Sequence, residues 1–179
     1  MQNPKRPTSL PHIALLVLAG IIVSLKPAGA ATLDVMSFNI RNVEGFNRLL
    51  TPPNGWFDIA DLGNPDGFVN GRRLRALAVI AINDPDILGV QEADQIQVDD
   101  VLGVFPQYEY FGAGREDGLQ TGEQSGIFYR ADRFTRLDGG HFWLSETPTV
   151  PGTTFATGTD SGNPRMATWA VLEDALTGG

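Results

Sequence analysis

Apolar positions along this chain change period several times, and each change predicts an element. Leu33 to Arg41 alternates loosely between apolar and polar residues and reads as a first strand, with Asn39 near its end. Gly71 to Asn83 carries Leu74, Leu77, Ala78 and Ala81 at i, i+3, i+4 and i+7, the spacing of one helix face, and Asn83-Asp84-Pro85 stops it. Ile87, Leu88 and Val90 then form an apolar run too short for a stable helix, bounded by Asp84-Pro85-Asp86 and by Gln91-Glu92. That run predicts a buried strand delivering Glu92 to a sheet edge. Strand, helix and strand in this order predict a βαβ unit, which brings Asn39 and Glu92 to the same side of the sheet. Open α/β sheets place their ligand sites beyond such strand ends.

Helical spacing returns at Val98, Val101, Leu102 and Phe105, and Pro106 ends that element. Short β-rich runs follow at Tyr108–Phe111, Ser125–Arg130, Phe134–Leu137, His141–Leu144 and Met166–Leu172, separated by Gly-rich and Asp-rich connections. Two stretches carry no apolar period. Asn42 to Asn70 is rich in Pro, Gly, Asn and Asp, a surface loop of the size used for lids and insertions, and Thr147 to Pro164 is a second loop. No segment repeats another.

The first thirty residues fall outside this pattern. Lys5 and Arg6 precede an apolar segment from Ile13 to Leu25, and Ala28-Gly29-Ala30 supplies the small residues of a cleavage site. The segment is short for a membrane span, so residues 1–30 are expected to be a signal peptide of a secreted or periplasmic protein with no stable membrane anchor. Residues 31–179 are then expected to form one domain. The leader's three basic residues take the formal charge from −8 to −11 when they are removed, and arginine is the remaining cationic residue type apart from histidine. That acidity argues against a sequence-blind grip on nucleic-acid phosphates and leaves room for a small phosphorylated substrate held by a few arginines and a metal. The chain has no cysteine, so stability rests on packing, with a bound cation as a further contributor.

Candidate chemistry centres on Asn39 and Glu92. Mg²⁺ takes oxygen ligands, keeps several waters and is commonly held by one or two carboxylates plus substrate phosphate, which suits one glutamate beside one amide oxygen. The alternative is a strand-end asparagine and a solvated glutamate. Arg115, in the glycine-flanked turn Gly112–Gly118, offers a guanidinium fork for phosphate oxygens, or is a surface turn residue. Glu123 and Arg165 precede strands and are candidate substrate contacts, with solvated turn positions as the alternative. Histidine restricts the reading: His12 lies in the leader, and His141 opens an aromatic strand as a packing or hydrogen-bonding residue. A Ser-His-Asp or Cys-His nucleophile is therefore poorly supported.

Taken in order, Met36-Ser37-Phe38-Asn39-Ile40-Arg41, Pro85-Asp86-Ile87-Leu88-Gly89-Val90-Gln91-Glu92, Gly112 to Gly118, Gly126-Ile127-Phe128-Tyr129-Arg130, Phe142-Trp143-Leu144-Ser145-Glu146-Thr147-Pro148 and Arg165-Met166-Ala167-Thr168-Trp169 resemble the endonuclease/exonuclease/phosphatase family, its exported bacterial members above all. The resemblance covers nearly all of residues 31–179. It implies an α/β (α+β) fold of the DNase I-like type, a β-sandwich flanked by helices, and hydrolysis of phosphate esters with Mg²⁺, Mn²⁺ or Ca²⁺. On the same resemblance Asn39 matches the family's first-strand active-site asparagine and Glu92 its metal-binding glutamate. Arg115 and Glu123 fall in segments that border the substrate cleft.

The chain also departs from the family pattern. Members continue into a second half with a His-x-Asp strand, a Gly-Asp-x-Asn motif and a terminal Ser-Asp-His, and none of these occurs here; Gly158 to Asn163 lacks the required spacing. The resemblance thus implies the N-terminal portion of the domain, with roughly one of the two sheets and an apolar face lacking its partner. The Asn42–Asn70 loop is longer than expected of close relatives. Two functions follow: a metal-dependent phosphate ester hydrolase (phosphodiesterase, nuclease or phosphatase) in the full-length protein, with this portion inactive alone, or a non-catalytic secreted binding or assembly protein keeping a half-fold. The expected substrate is a phosphorylated small molecule or lipid head group ahead of nucleic acid.

Overall fold

The computed structural model describes residues 31–43, 55–56, 71–157 and 162–178. The expected signal peptide, most of the 42–70 loop and residues 158–161 of the second loop lie outside the described residues.

The βαβ unit forms as its periodicity predicts. Strand β1 (Val35–Asn39) runs parallel to β2 (Ile87–Ala93), with Val35 opposite Ile87 and Asn39 opposite Gln91, and helix α1 (Arg72–Asn83) makes the crossover. The helix ends at Asp84, whose left-handed backbone (φ 40°) turns the chain into buried Pro85. Helix α2 (Gln95–Val104) follows β2 directly. It begins with a capping box in which Asp94 and Gln97 satisfy each other's backbone N–H groups. The strands β3 (Tyr108–Phe111) and β4 (Gln124–Arg130) are antiparallel, β4 pairs with β2, and the sheet order is β1-β2-β4-β3.

Alternation along β2 and β4 decides which face is covered. Leu88, Val90 and Phe128 point to the helix side and pack with Ile80 of α1, Val98 and Val101 of α2 and Tyr108 of β3 in one buried cluster. Tyr108 and Tyr110 flank the Phe128 ring at 6.4 Å and 4.6 Å. Burial pushes the Tyr110 hydroxyl far above its ordinary value, and it donates instead to the Gln124 amide oxygen.

The other face receives a two-stranded antiparallel ribbon, β5 (Phe134–Trp143) and β6 (Met166–Asp174). Two separate strands at Phe134–Leu137 and His141–Leu144 were expected; the structure has one ten-residue strand with a bulge between Arg136 and Asp138. Asp138-Gly139-Gly140 has turn composition, yet glycine is required there for contact: a Cβ on Gly139 would come within 2.6 Å of the Phe111 ring. Phe111 stacks on His141 at 4.8 Å and lies under the Arg136 guanidinium at 4.2 Å, while Thr168 donates to the Ser125 carbonyl. The described strands therefore form a four-stranded sheet and a ribbon laid on it, where about one sheet was expected. On the ribbon's outer face Phe142, Trp169 and Val171 remain 40%, 43% and 47% exposed, an apolar strip facing away from the sheet. Among the described residues no helix is long and apolar enough to cross a membrane.

Candidate active site

Asn39 and Glu92 meet where β1 and β2 end. The Asn39 Nδ2 donates to Glu92 Oε1 at 2.9 Å, and Asn39 Oδ1 accepts the Arg41 backbone N–H at 2.9 Å. Both strands finish in left-handed backbone at residues other than glycine: Arg41 has φ 58° and Glu92 φ 57°. In β2 the irregularity is a bulge, because pairing with β4 shifts register between Val90 and Ala93. Such conformations carry an energetic penalty and persist where surrounding contacts over-determine them. Around Arg41 those contacts are present. Arg72 donates through Nη1 to the carbonyls of Ile40 (2.9 Å) and Arg41 (3.1 Å) and through Nη2 to that of Asn42 (3.2 Å). Gln97 Nε2 donates to the Arg41 carbonyl at 3.0 Å, and Asp94 accepts the Val43 N–H at 2.5 Å.

Arg115 and Glu123 form a second pair across the loop between β3 and β4. Arg115 Nη1 lies 2.5 Å from Glu123 Oε2, with both side chains largely buried, and the Asn42 amide donates to the other carboxylate oxygen. The loop that presents them is internally braced: Arg115 N–H donates to the Glu123 carbonyl at 3.1 Å, and Trp143 Nε1 to the Arg115 carbonyl at 2.6 Å. Asp117 accepts from the Thr121 hydroxyl and from the Leu119 and Thr121 backbone N–H groups, which hold its carboxyl below the usual range. Glu123 is thus no solvated turn residue, and Arg115 is no free fork, since one of its terminal nitrogens is committed to Glu123.

All five candidates line one cleft of about 390 Å³: Asn39 and Glu92 from the strand ends, Arg115 and Glu123 from the loop, and Arg165 from the start of β6. Gln91 and Ser125, with the apolar Leu144, Pro164 and Met166, complete the wall. His141 stands outside it; Nδ1 lies 3.0 Å from the Thr168 hydroxyl, and burial with nearby Arg136 pushes its pKa down. Sequence reading missed Asn42, Arg72 and Gln97. The Asp94-x-x-Gln97 capping signature was visible, but nothing local marks its second bond to Arg41.

The donor set can be tested against a hard cation. A carboxylate and an amide oxygen on adjoining strand ends are ligand types that Mg²⁺ takes, with water and substrate filling the remaining positions. Here Glu92 Oε1 accepts from Asn39 Nδ2 and Asn39 Oδ1 accepts the Arg41 N–H, so an ion would use Glu92 Oε2 and the second lone pair of Asn39 Oδ1. Among the described residues no cluster of three or more His, Cys, Asp or Glu is placed to hold an ion, so the fit is to a sparse site of this kind and not to a closed protein cage.

Neither protein-family profiles nor curated proteins match the chain. Solved structures do. An endonuclease/exonuclease/phosphatase family protein from Bacteroides thetaiotaomicron is 35% identical, with TM-score 0.61 over 82% of this chain and 45% of its own. Another from Bacteroides vulgatus is 30% identical, with TM-score 0.62 over 82% and 48%. The mannosyl-6-phosphatase of Bacteroides thetaiotaomicron is 35% identical, with TM-score 0.62 over 82% and 48%. The chain spans about half the length of each of these proteins. Its α/β sheet with helices on one face and these likenesses place it, with a DNase I-like fold, in the endonuclease/exonuclease/phosphatase family.

Proposed function

We propose that the full-length protein hydrolyses phosphate esters with a divalent metal, Mg²⁺ first and Mn²⁺ or Ca²⁺ as substitutes, and that it acts outside the cytoplasm. The observation that carries this reading is the convergence of Asn39, Glu92, Arg115, Glu123 and Arg165 on one cleft. Asn39 and Glu92 would hold the ion, which when bound supplies charge neutralisation at a phosphoryl oxygen. Arg115 and Arg165 bring positive charge to the same space, and Glu123 fixes the direction of Arg115. Leu144, Pro164 and Met166 add apolar surface to the cleft wall.

The likeness to a mannosyl-6-phosphatase supports a sugar phosphate as the first substrate to examine within the class of phosphorylated small molecules. Lipid head groups and nucleic acid come after it, because the cleft is small and the chain as a whole is acidic. Phosphoryl transfer also needs an oriented nucleophile and a proton acceptor. The cleft's described residues include no histidine, and both oxygens of Glu123 are already bonded. Residues 31–179 by themselves are therefore expected to be inactive.

The deciding experiment is a panel of sugar phosphates, phosphodiesters, lipid head groups and oligonucleotides offered to the full-length protein with and without EDTA. Turnover that survives EDTA would overturn the metal-dependent reading. Turnover by residues 31–179 alone, lost in Glu92→Gln, would overturn the expected inactivity.

A further inference from the structure

We infer that Gln97 is a positioning residue for the Asn39–Glu92 pair, acting through the backbone of Arg41; the inference rests on the reading of that pair as the metal site. Gln97 is fully buried, on the helix that contributes Val98 and Val101 to the apolar core. A primary amide in such surroundings destabilises the fold unless both of its ends are bonded. Both ends are: Oε1 accepts the Asp94 N–H at 3.0 Å, and Nε2 donates to the Arg41 carbonyl at 3.0 Å. The first bond belongs to the capping box of α2 and is local. The second joins residues 56 apart in sequence and does nothing for the helix.

What it does is hold a residue that has no intrinsic reason to be left-handed. Arg41 sits at φ 58°, and its carbonyl is gripped by Gln97 and Arg72 together. In that conformation the Arg41 N–H reaches Asn39 Oδ1, which orients the amide so that Nδ2 faces Glu92 Oε1. Asp94 clamps the far end of the same turn through the Val43 N–H. The path from the core to the cleft is thus Gln97, Arg41 carbonyl, Arg41 N–H, Asn39, Glu92. Asn42, in the same turn, carries the path on to Glu123.

The test is a double-mutant cycle between Gln97→Met, which keeps the volume and removes both bonds, and Arg41→Gly, which removes the penalty on positive φ. Two readouts are followed in the full-length protein: hydrogen exchange at the residue 41 amide, and Mn²⁺ affinity by titration calorimetry. Gln97→Met is expected to speed exchange at residue 41 and weaken Mn²⁺ binding by about tenfold each. In the Arg41→Gly background the same substitution is expected to change either by less than about threefold. A purely structural Gln97 would lower the melting temperature with residue 41 exchange following only global unfolding and no rescue by glycine, which overturns the inference.

Gln97→Glu serves if the methionine variant does not fold. It keeps the volume and the acceptor for Asp94, while its ionised form repels the Arg41 carbonyl. Residue 41 protection is expected to fall as pH is raised through the new carboxyl's titration, and protection independent of pH counts against the inference. Glu92→Gln separates the two readings. If Mn²⁺ binding is indifferent to that change the metal site is wrong, while exchange at residue 41 still decides whether Gln97 holds the turn.

Discussion

The two ends of the β1–β2 pair use the same chemistry, arginine against carboxylate, for opposite purposes. At the end where the strands begin, Arg133 spends its whole guanidinium on structure. Nη1 bonds Asp86 Oδ2 at 2.7 Å and the Thr32 carbonyl at 2.9 Å, while Nη2 and Nε take both oxygens of Asp174 at 2.8 Å and 3.1 Å. Asp86 Oδ2 also accepts the Asp34 N–H. One side chain thereby straps the starts of β1, β2 and β5 to the end of β6, and Arg130 adds a bridge to Asp84 at 2.6 Å. At the end where the strands finish, Arg115 and Glu123 are joined by a single bridge, the backbone is left-handed at Arg41 and Glu92, and among the described residues Glu92 is bonded through one oxygen to Asn39. A closed set of donors and acceptors strengthens the fold; a set left with oxygen facing a cleft can receive a ligand.

Breaking the open end is expected to have the largest effect. Glu92→Gln in the full-length protein removes a negatively charged ligand, so metal-dependent turnover should fall beyond the roughly 10–100-fold typical of outer-shell partners, with the Mn²⁺ titration flattened. An unchanged titration would take Glu92 out of the site. The closed end should respond in stability instead. Arg133→Met leaves Asp174 without its bonded guanidinium and Asp86 with Arg130 Nε at 3.9 Å, and should lower the melting temperature by several degrees, with Mn²⁺ affinity preserved in the folded protein. Loss of Mn²⁺ affinity without loss of stability would erase the contrast between the ends.

Smaller effects sharpen it. Asp94→Ala removes the α2 cap and the acceptor for Val43 N–H, and should cost about 1 kcal/mol in urea unfolding. A change near zero would mean that the turn bearing Asn42 and Val43 is held without it. The smallest effect is a pH dependence. Hydrogen bonding from Arg133 holds the Asp174 carboxyl below its ordinary value, so its contribution is complete above the usual carboxylate range and is lost as pH falls through the lowered folded value. Asp174→Asn should therefore be less stable near neutral pH and show a shallower acid limb in melting temperature; an identical acid limb would exclude this coupling.

Much of this arrangement was legible from order along the chain. The helix over Gly71–Asn83, the strand ending near Glu92 and their βαβ connection follow from local period and from Pro85, because an amphipathic face or a short buried run declares itself within a few residues. The placement of Asn39 beside Glu92 follows in turn from parallel pairing of two consecutive strands. The pairing of Arg115 with Glu123, the seat of Asn42 on the same carboxylate, the Gln97 brace and the Arg133 strap were not legible. Each joins groups whose meeting depends on how loops close or layers stack, and no spacing in the sequence encodes that distance. The ribbon is the clearest instance: Asp138-Gly139-Gly140 has the composition of a turn, and only the Phe111 ring packed over Gly139 turns it into the middle of a strand. Local patterns determined the βαβ elements and the residues at their ends; long-range packing joined the ribbon strand and decided which of those end residues were closed into structure and which were left open to a ligand.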